Sequence, residues 1–145
     1  MDFVIDTNVM FSYFREGLFV NSIIKSGLCG LFSPESALDE LDRYSGVICL
    51  KCGISGAKFK ALLEEMKEYV SFVRIEEHSS FFGEVKLMAE KLGGKDAEEL
   101  LDDADFVSLS IKLKIPLWSN DKIFKKVADI ESFTTSEVVA MLKSP

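Results

Sequence analysis

The sequence predicts an α/β fold in which a parallel sheet is covered by helices on both faces. Short apolar runs alternate with longer amphipathic segments from one end of the 145-residue chain to the other, which is the pattern of repeated strand–helix–strand units. Strands joined through helices pair in parallel by right-handed crossovers. Two acids, Asp6 and Asp121, directly follow such apolar runs, at the carboxyl ends of strands where open parallel sheets bind ligands.

Each element has a local reason. Residues 2–5 form an apolar run that reads as a buried strand. Val9, Met10, Tyr13 and Phe14 give residues 8–14 helical spacing, and residues 18–26 form a second helix with Gly27 as its C-cap. Leu31-Phe32 is a short strand, and Ser33-Pro34-Glu35 opens the next helix through a cap, a first-turn proline and an acid. Ala37, Leu38, Leu41 and Tyr44 line that helix, Gly46 ends or kinks it, and residues 47–53 show no decisive period. Residues 57–69 are an amphipathic helix, and Val70 to Ile75 alternate as a strand. A helix over 80–92 stops at Gly93-Gly94, a short helix covers 96–101, and 103–113 form another. Pro116 breaks it and 116–119 is a strand. Residues 121–128 form a short helix, Ser132 to Thr134 an edge strand, and Ser136 caps a final helix.

A chain of this length is expected to form one domain over residues 1–145, burying about 70% of the surface its unfolded form exposes. It shows no internal repeat, low-complexity tract or linker. No apolar stretch reaches the roughly 20 residues of a membrane span, and the N-terminus lacks the basic region of a signal peptide. Cys29, Cys49 and Cys52 are an odd set with a single histidine elsewhere, so free thiols fit better than a closed zinc site. A cytoplasmic location follows as the expectation. The net charge of −7 argues against holding nucleic acid by bulk electrostatics. Local cations would have to do it, drawn from Arg15, Arg43, Lys112, Lys114, Lys122, Lys125 and Lys126.

Asp6, Glu40, Asp103 and Asp121 fall where a parallel sheet would gather them. Four carboxylates in one place repel unless a cation sits among them, and hard divalent cations prefer oxygen ligands. Each acid has a plainer reading. Asp6 and Asp121 suit helix caps, and Glu40, with Asp39 and Asp42 beside it, suits a solvated helix face. Asp102, Asp103 and Asp105 suit a first helical turn. Asp103 shares a face with Phe106 and is the one of those three expected to point inward.

Four segments together resemble the PIN domain family of metal-dependent nucleases. Phe3-Val4-Ile5-Asp6-Thr7-Asn8 resembles its first strand and acid, and Pro34 to Leu41 its helix bearing the second. Asp103-Ala104-Asp105-Phe106-Val107-Ser108-Leu109-Ser110 resembles the third-acid segment, with Ser108 and Ser110 where small alanines are common. Leu117-Trp118-Ser119-Asn120-Asp121 resembles the final strand and its hydroxyl-x-acid turn. The resemblance implies a Rossmann-like three-layer α/β/α sandwich, Mg²⁺ or Mn²⁺, and cleavage of single-stranded RNA. Many small members are VapC-type toxins paired with an antitoxin, and a homodimer is implied by the same likeness.

On that reading Asp6 and Asp103 are principal metal ligands, and Glu40 and Asp121 complete the pocket. Thr7, Asn8, Ser119 and Asp105 would orient carboxylates or waters around them. Tyr13, Phe14 and Trp118 are aromatic surfaces open either to RNA or to the core. One rival is a non-catalytic binding or assembly module on the same fold. Another is a phosphoryl-transfer protein, which fits less well because Asp6-Thr7-Asn8 is not D-x-D and Val73-Arg74-Ile75-Glu76 offers no accepting aspartate.

Overall fold

Strand β1 (Asp2–Ile5) is the hub of the molecule. Phe3, Val4 and Ile5 have no exposed surface, as expected of a strand covered on both faces, where apolar residues run continuously rather than alternate. A computed structural model describes residues 1–15 and 17–143, leaving Glu16, Ser144 and Pro145 outside the described residues. In it β1 lies between β2 (Gly30–Pro34) and β4 (Leu117–Trp118), with β3 (Val70–Val73) and β5 (Ser132–Phe133) outside them. Every pairing is parallel, and Val4 sits opposite both Phe32 and Leu117.

The strand order β3-β2-β1-β4-β5 reverses its direction of growth between β1 and β4. Right-handed crossovers then place the helices joining β1 to β3 on one face and those joining β3 to β5 on the other. The crevice at that reversal, beyond the carboxyl ends of β1 and β4, is where such sheets bind ligands. Asp6 and Ser119-Asn120-Asp121 stand directly after those two strands.

Helices α1 (Thr7–Phe11), α2 (Phe19–Ser26), α3 (Ser36–Arg43), α4 (Ser45–Cys52) and α5 (Gly56–Met66) connect β1 to β3. Helices α6 (Phe82–Leu92), α7 (Gly94–Asp102) and α8 (Ala104–Leu113) connect β3 to β4, and α9 (Thr135–Lys143) follows β5. The α/β sandwich read from the sequence is therefore the observed one.

Several boundaries differ from the sequence reading. Ser33 and Pro34 belong to β2, not to a helix start. Ser33 is fully buried and donates to the Ile5 carbonyl at 2.9 Å, and Pro34 takes the last place on the strand opposite Val73. A buried cross-strand bond outweighs the cap-like look of Ser-Pro-Glu. Gly46 does not end a helix. The break falls at Tyr44 (φ −95°, ψ 10°), and residues 45–52, which show no period, form α4. The segment after Asp121 is a 3-10 helix at Lys122–Lys126. Thr134, not Ser136, caps α9: its hydroxyl accepts from the Glu137 amide at 3.2 Å, and its own amide donates to the Glu137 carboxylate at 3.0 Å. This is a reciprocal capping box, each side chain satisfying the other's free N–H.

The core runs through both layers. Phe3 meets Trp118 and Phe133 edge-on at 6.0 Å each, and Phe14 stacks on Phe59 at 4.8 Å. Tyr13, Phe14 and Trp118 are buried and belong to this core. Leu41 holds α3 to it without exposed surface, whereas Leu50 on α4 is 84% exposed. Leu41→Ala should therefore cost about 2–5 kcal/mol in urea unfolding. Leu50→Ala should stay within about 0.5 kcal/mol.

Candidate active site

Asp6 is fixed by its surroundings. It caps α1, with one carboxylate oxygen accepting from the Val9 amide at 2.9 Å. The other oxygen accepts a short hydrogen bond from the Ser119 hydroxyl. The same hydroxyl accepts from the Asp121 amide at 3.0 Å, so one serine ties the turn after β4 to the acid after β1. Only 6% of Asp6 is exposed. The cap reading and the site reading of Asp6 are compatible, since one oxygen does one job and the second faces Ser119.

Asp103 occupies the junction of α7 and α8 and makes no side-chain cap bond. Helix α8 leads into β4, so it runs antiparallel to the strands and its first residue lies at their carboxyl edge. Glu40 sits in the second turn of α3, half-buried, after β2. Asp121 is exposed and caps the 3-10 turn through the Ile123 amide at 3.1 Å.

The charges of the other three acids all reach Asp103. Burial pushes the Asp103 carboxyl up to about 7, and the charges of Asp121, Asp6, Glu40 and Asp102 push in the same direction. Burial also raises Asp6, opposed by the hydrogen bonds from Ser119 and Val9 and reinforced by Asp121 and Glu40. Both acids are therefore harder to ionise than a free carboxylate, which is the signature of like charges held together in a partly dry place.

The other predicted members are placed as follows. Thr7 is buried, and its hydroxyl has no hydrogen-bond partner among the described residues. Asn8 is exposed. Asp105 accepts from the Ser36 hydroxyl at 2.5 Å and so engages α3 beside the cluster. Two of the candidate cations are already paired, Lys125 with Glu137 at 2.7 Å and Lys126 with Asp96 at 3.2 Å. The sequence reading missed a polar chain next to Asp105. Ser108 donates to the Asp105 carbonyl at 3.0 Å, which leaves its oxygen to accept from His78 Nδ1 at 2.7 Å. His78 Nε2 is buried, with no hydrogen-bond partner among the described residues. Nothing local in the sequence links His78 to residue 108; only the fold brings them together.

The donor set suits a hard divalent cation, being carboxylate oxygens with hydroxyls around them. Among the described residues, no three His, Cys, Asp or Glu side chains form a ready-made cage for an ion. The unsatisfied Thr7 hydroxyl is a further polar group left in want of a partner next to Asp6.

The raised Asp103 has a stability consequence. A carboxyl whose folded pKa, about 7, exceeds its ordinary 3.8 stabilises the metal-free protein fully only below about pH 4. That contribution is lost as pH rises through 7. Asp103→Asn removes the penalty, so in excess chelator the variant should gain melting temperature over the wild type from pH 4 towards pH 8. The difference expected at the upper end is about 2 °C or more, read from paired thermal melts.

A family model described as PIN domain matches residues 4–143. No curated protein matches at a significant level. Among solved structures, the chain resembles VapBC2 from Rickettsia felis, solved bound to a DNA fragment from their promoter. The TM-score is 0.66 at 15% identity, over 92% of this chain and 98% of that one. It also resembles FitAcB from Neisseria gonorrhoeae, with a TM-score of 0.63 at 19% identity, over 92% and 96% of the two chains. At these identities the structural likeness speaks for the fold, and the family model for the lineage. Matched over nearly its whole length, the chain belongs to the PIN domain family.

Proposed function

We propose that this protein is a metal-dependent endoribonuclease that hydrolyses phosphodiester bonds of single-stranded RNA. The observation that carries the reading is that burial, and then the charges of Asp121 and Glu40, lift both Asp6 and Asp103, with Asp6 lifting Asp103 as well. A fold that spends stability on crowding acids at its ligand-binding edge has a use for a cation there. Membership of the PIN domain family supports the same conclusion.

Asp6 and Asp103 would hold Mg²⁺ or Mn²⁺, with Glu40 and Asp121 acting directly or through water. When bound, such an ion lowers the pKa of water and polarises the phosphate. The chain's own residues prepare the place. Val9 and Ser119 fix both oxygens of Asp6, so its carboxylate needs no reordering when a cation arrives. Ser119 also sets the turn that aims Asp121. The raised Asp103 gives up its proton as the cation binds, which couples loading to pH.

A cytoplasmic site of action fits the three free thiols. The neighbours named VapBC2 and FitAcB, together with the family likeness, support a toxin's role beside an antitoxin partner, while a homodimer rests on the family resemblance alone.

Cleavage of a mixed-sequence single-stranded RNA with Mg²⁺ or Mn²⁺ tests the reading. Asp6→Asn or Asp103→Asn should lower the rate by about 100-fold or more, exceeding the roughly 10–100-fold loss typical of an outer partner. Undiminished wild-type cleavage in excess chelator contradicts the scheme. A melting temperature indifferent to Mn²⁺ would instead favour a non-catalytic binding module.

Ser119→Ala separates positioning from ligation. It should weaken Mn²⁺ binding about 10–100-fold in a titration followed by thermal melts. Asp6, deprived of its hydroxyl donor, should become still harder to ionise, since that bond lowers its pKa now.

A further inference from the structure

Two adjoining cavities of 270 and 500 Å³ share Arg15, Leu18, Lys51 and Cys52, and so make one continuous groove between the end of α1 and helix α4. Its described lining residues include the cations Arg15, Lys51 and Lys58 and no carboxylate. In a chain with 24 acids against 17 bases, that is a marked separation of sign. By contrast, a 560 Å³ cavity sets Glu84, Asp129 and Glu131 against the single cation Lys114, and a 400 Å³ one sets Glu35, Asp39, Glu76 and Asp105 against Arg74. Arg15 and Lys51 are exposed, and among the described residues neither enters an ion pair.

At one end of the groove stand Phe11 and Tyr44, ring centroids 6.1 Å apart at 74°, with Tyr44 44% exposed. These two residues tie the groove to the acidic centre. Phe11 ends the helix that Asp6 caps, about 7.5 Å further along its axis. Tyr44 follows the helix that carries Glu40, about 6 Å beyond that residue. A cationic channel with an aromatic face is the arrangement that holds single-stranded nucleic acid: cations follow the phosphates and rings stack on bases.

We infer that this groove is the track along which single-stranded RNA enters the acidic centre, with Phe11 and Tyr44 as its stacking platform and Arg15 and Lys51 gripping its phosphates. The inference rests on the nuclease reading for its substrate. It also answers the difficulty that reading raises, because a protein of net charge −7 must grip a polyanion with a few local cations. An acidic protein segment could meet the same cations. RNA is favoured because the groove opens beside the place where a phosphodiester has to arrive.

The test uses the full chain carrying Asp103→Asn, in Mg²⁺, so that binding is read without cleavage. The probe is a fluorescein-labelled single-stranded RNA of about 12 nucleotides, followed by anisotropy over a range of salt. Arg15→Gln with Lys51→Gln should flatten the plot of log affinity against log salt by about 1.4, or 0.7 for each phosphate no longer neutralised. Lys51→Arg should keep its share of the slope. Tyr44→Ala should weaken binding about fivefold or more and Tyr44→Phe should restore it, with the melting temperature of the Ala variant unchanged, which a merely structural role would not give.

Unchanged slope and affinity in these variants, or no RNA binding at all, overturns the inference. So does capture of an acidic helical peptide by the groove in place of RNA. Mn²⁺-dependent RNA cleavage by the otherwise wild-type chain, indifferent to the groove substitutions, would sink the track and leave the nuclease standing. RNA held in the groove without any cleavage would do the reverse.

Discussion

The constraint on which the rest depends is the reversal of strand order between β1 and β4. It places the carboxyl ends of two central strands side by side, and the chain puts an acid after each. Backbone pairing fixes the spacing of those ends, and Ser119 joins them with one hydroxyl. Asp103 and Glu40 are then delivered by the helices that pack against the same edge. The arrangement is costly in isolation, since like charges in a partly buried place oppose folding. It persists because a well-filled apolar core beneath it, from Phe3 to Trp118, supplies the stability that the edge gives up.

Much of this is legible in the sequence because it obeys short-range rules. The apolar run before Asp6, the glycine after Ser26 (φ 71° at Gly27) and the proline before β4 each report a local backbone requirement. The four acids stand out by their place after strands and on helices, and the charges of Asp6, Glu40 and Asp121 all act on Asp103. What is not legible depends on partners distant in sequence. Ser33 looks like a cap because its true partner, the Ile5 carbonyl, is 28 residues away. Helix α4 shows no period because Val47 and Leu50 remain exposed while Ile48 is buried, so the apolar residues do not mark a single buried face. Tyr13, Phe14 and Trp118 could face RNA or the core, and only packing decides that they fill the core.

The same limit applies to charge. A net value describes the whole chain, whereas binding depends on where the signs lie. Acids gather at the carboxyl edge and around the cleft by Asp105, while Arg15 and Lys51 lie together in a groove whose described lining lacks carboxylates. An acidic protein can thus present a cationic face without a change in composition, and counting residues does not reveal it.

Thr135 is a small residue with a long reach. Its hydroxyl accepts from both the Trp118 indole and the Asn120 amide at 3.0 Å, and its own amide donates to Asn120 at 2.8 Å. The start of the last helix is therefore latched to the loop that presents Ser119 and Asp121. Truncation or displacement of the C-terminal segment would slacken that loop and loosen the acidic edge from behind, although no residue of the segment belongs to it.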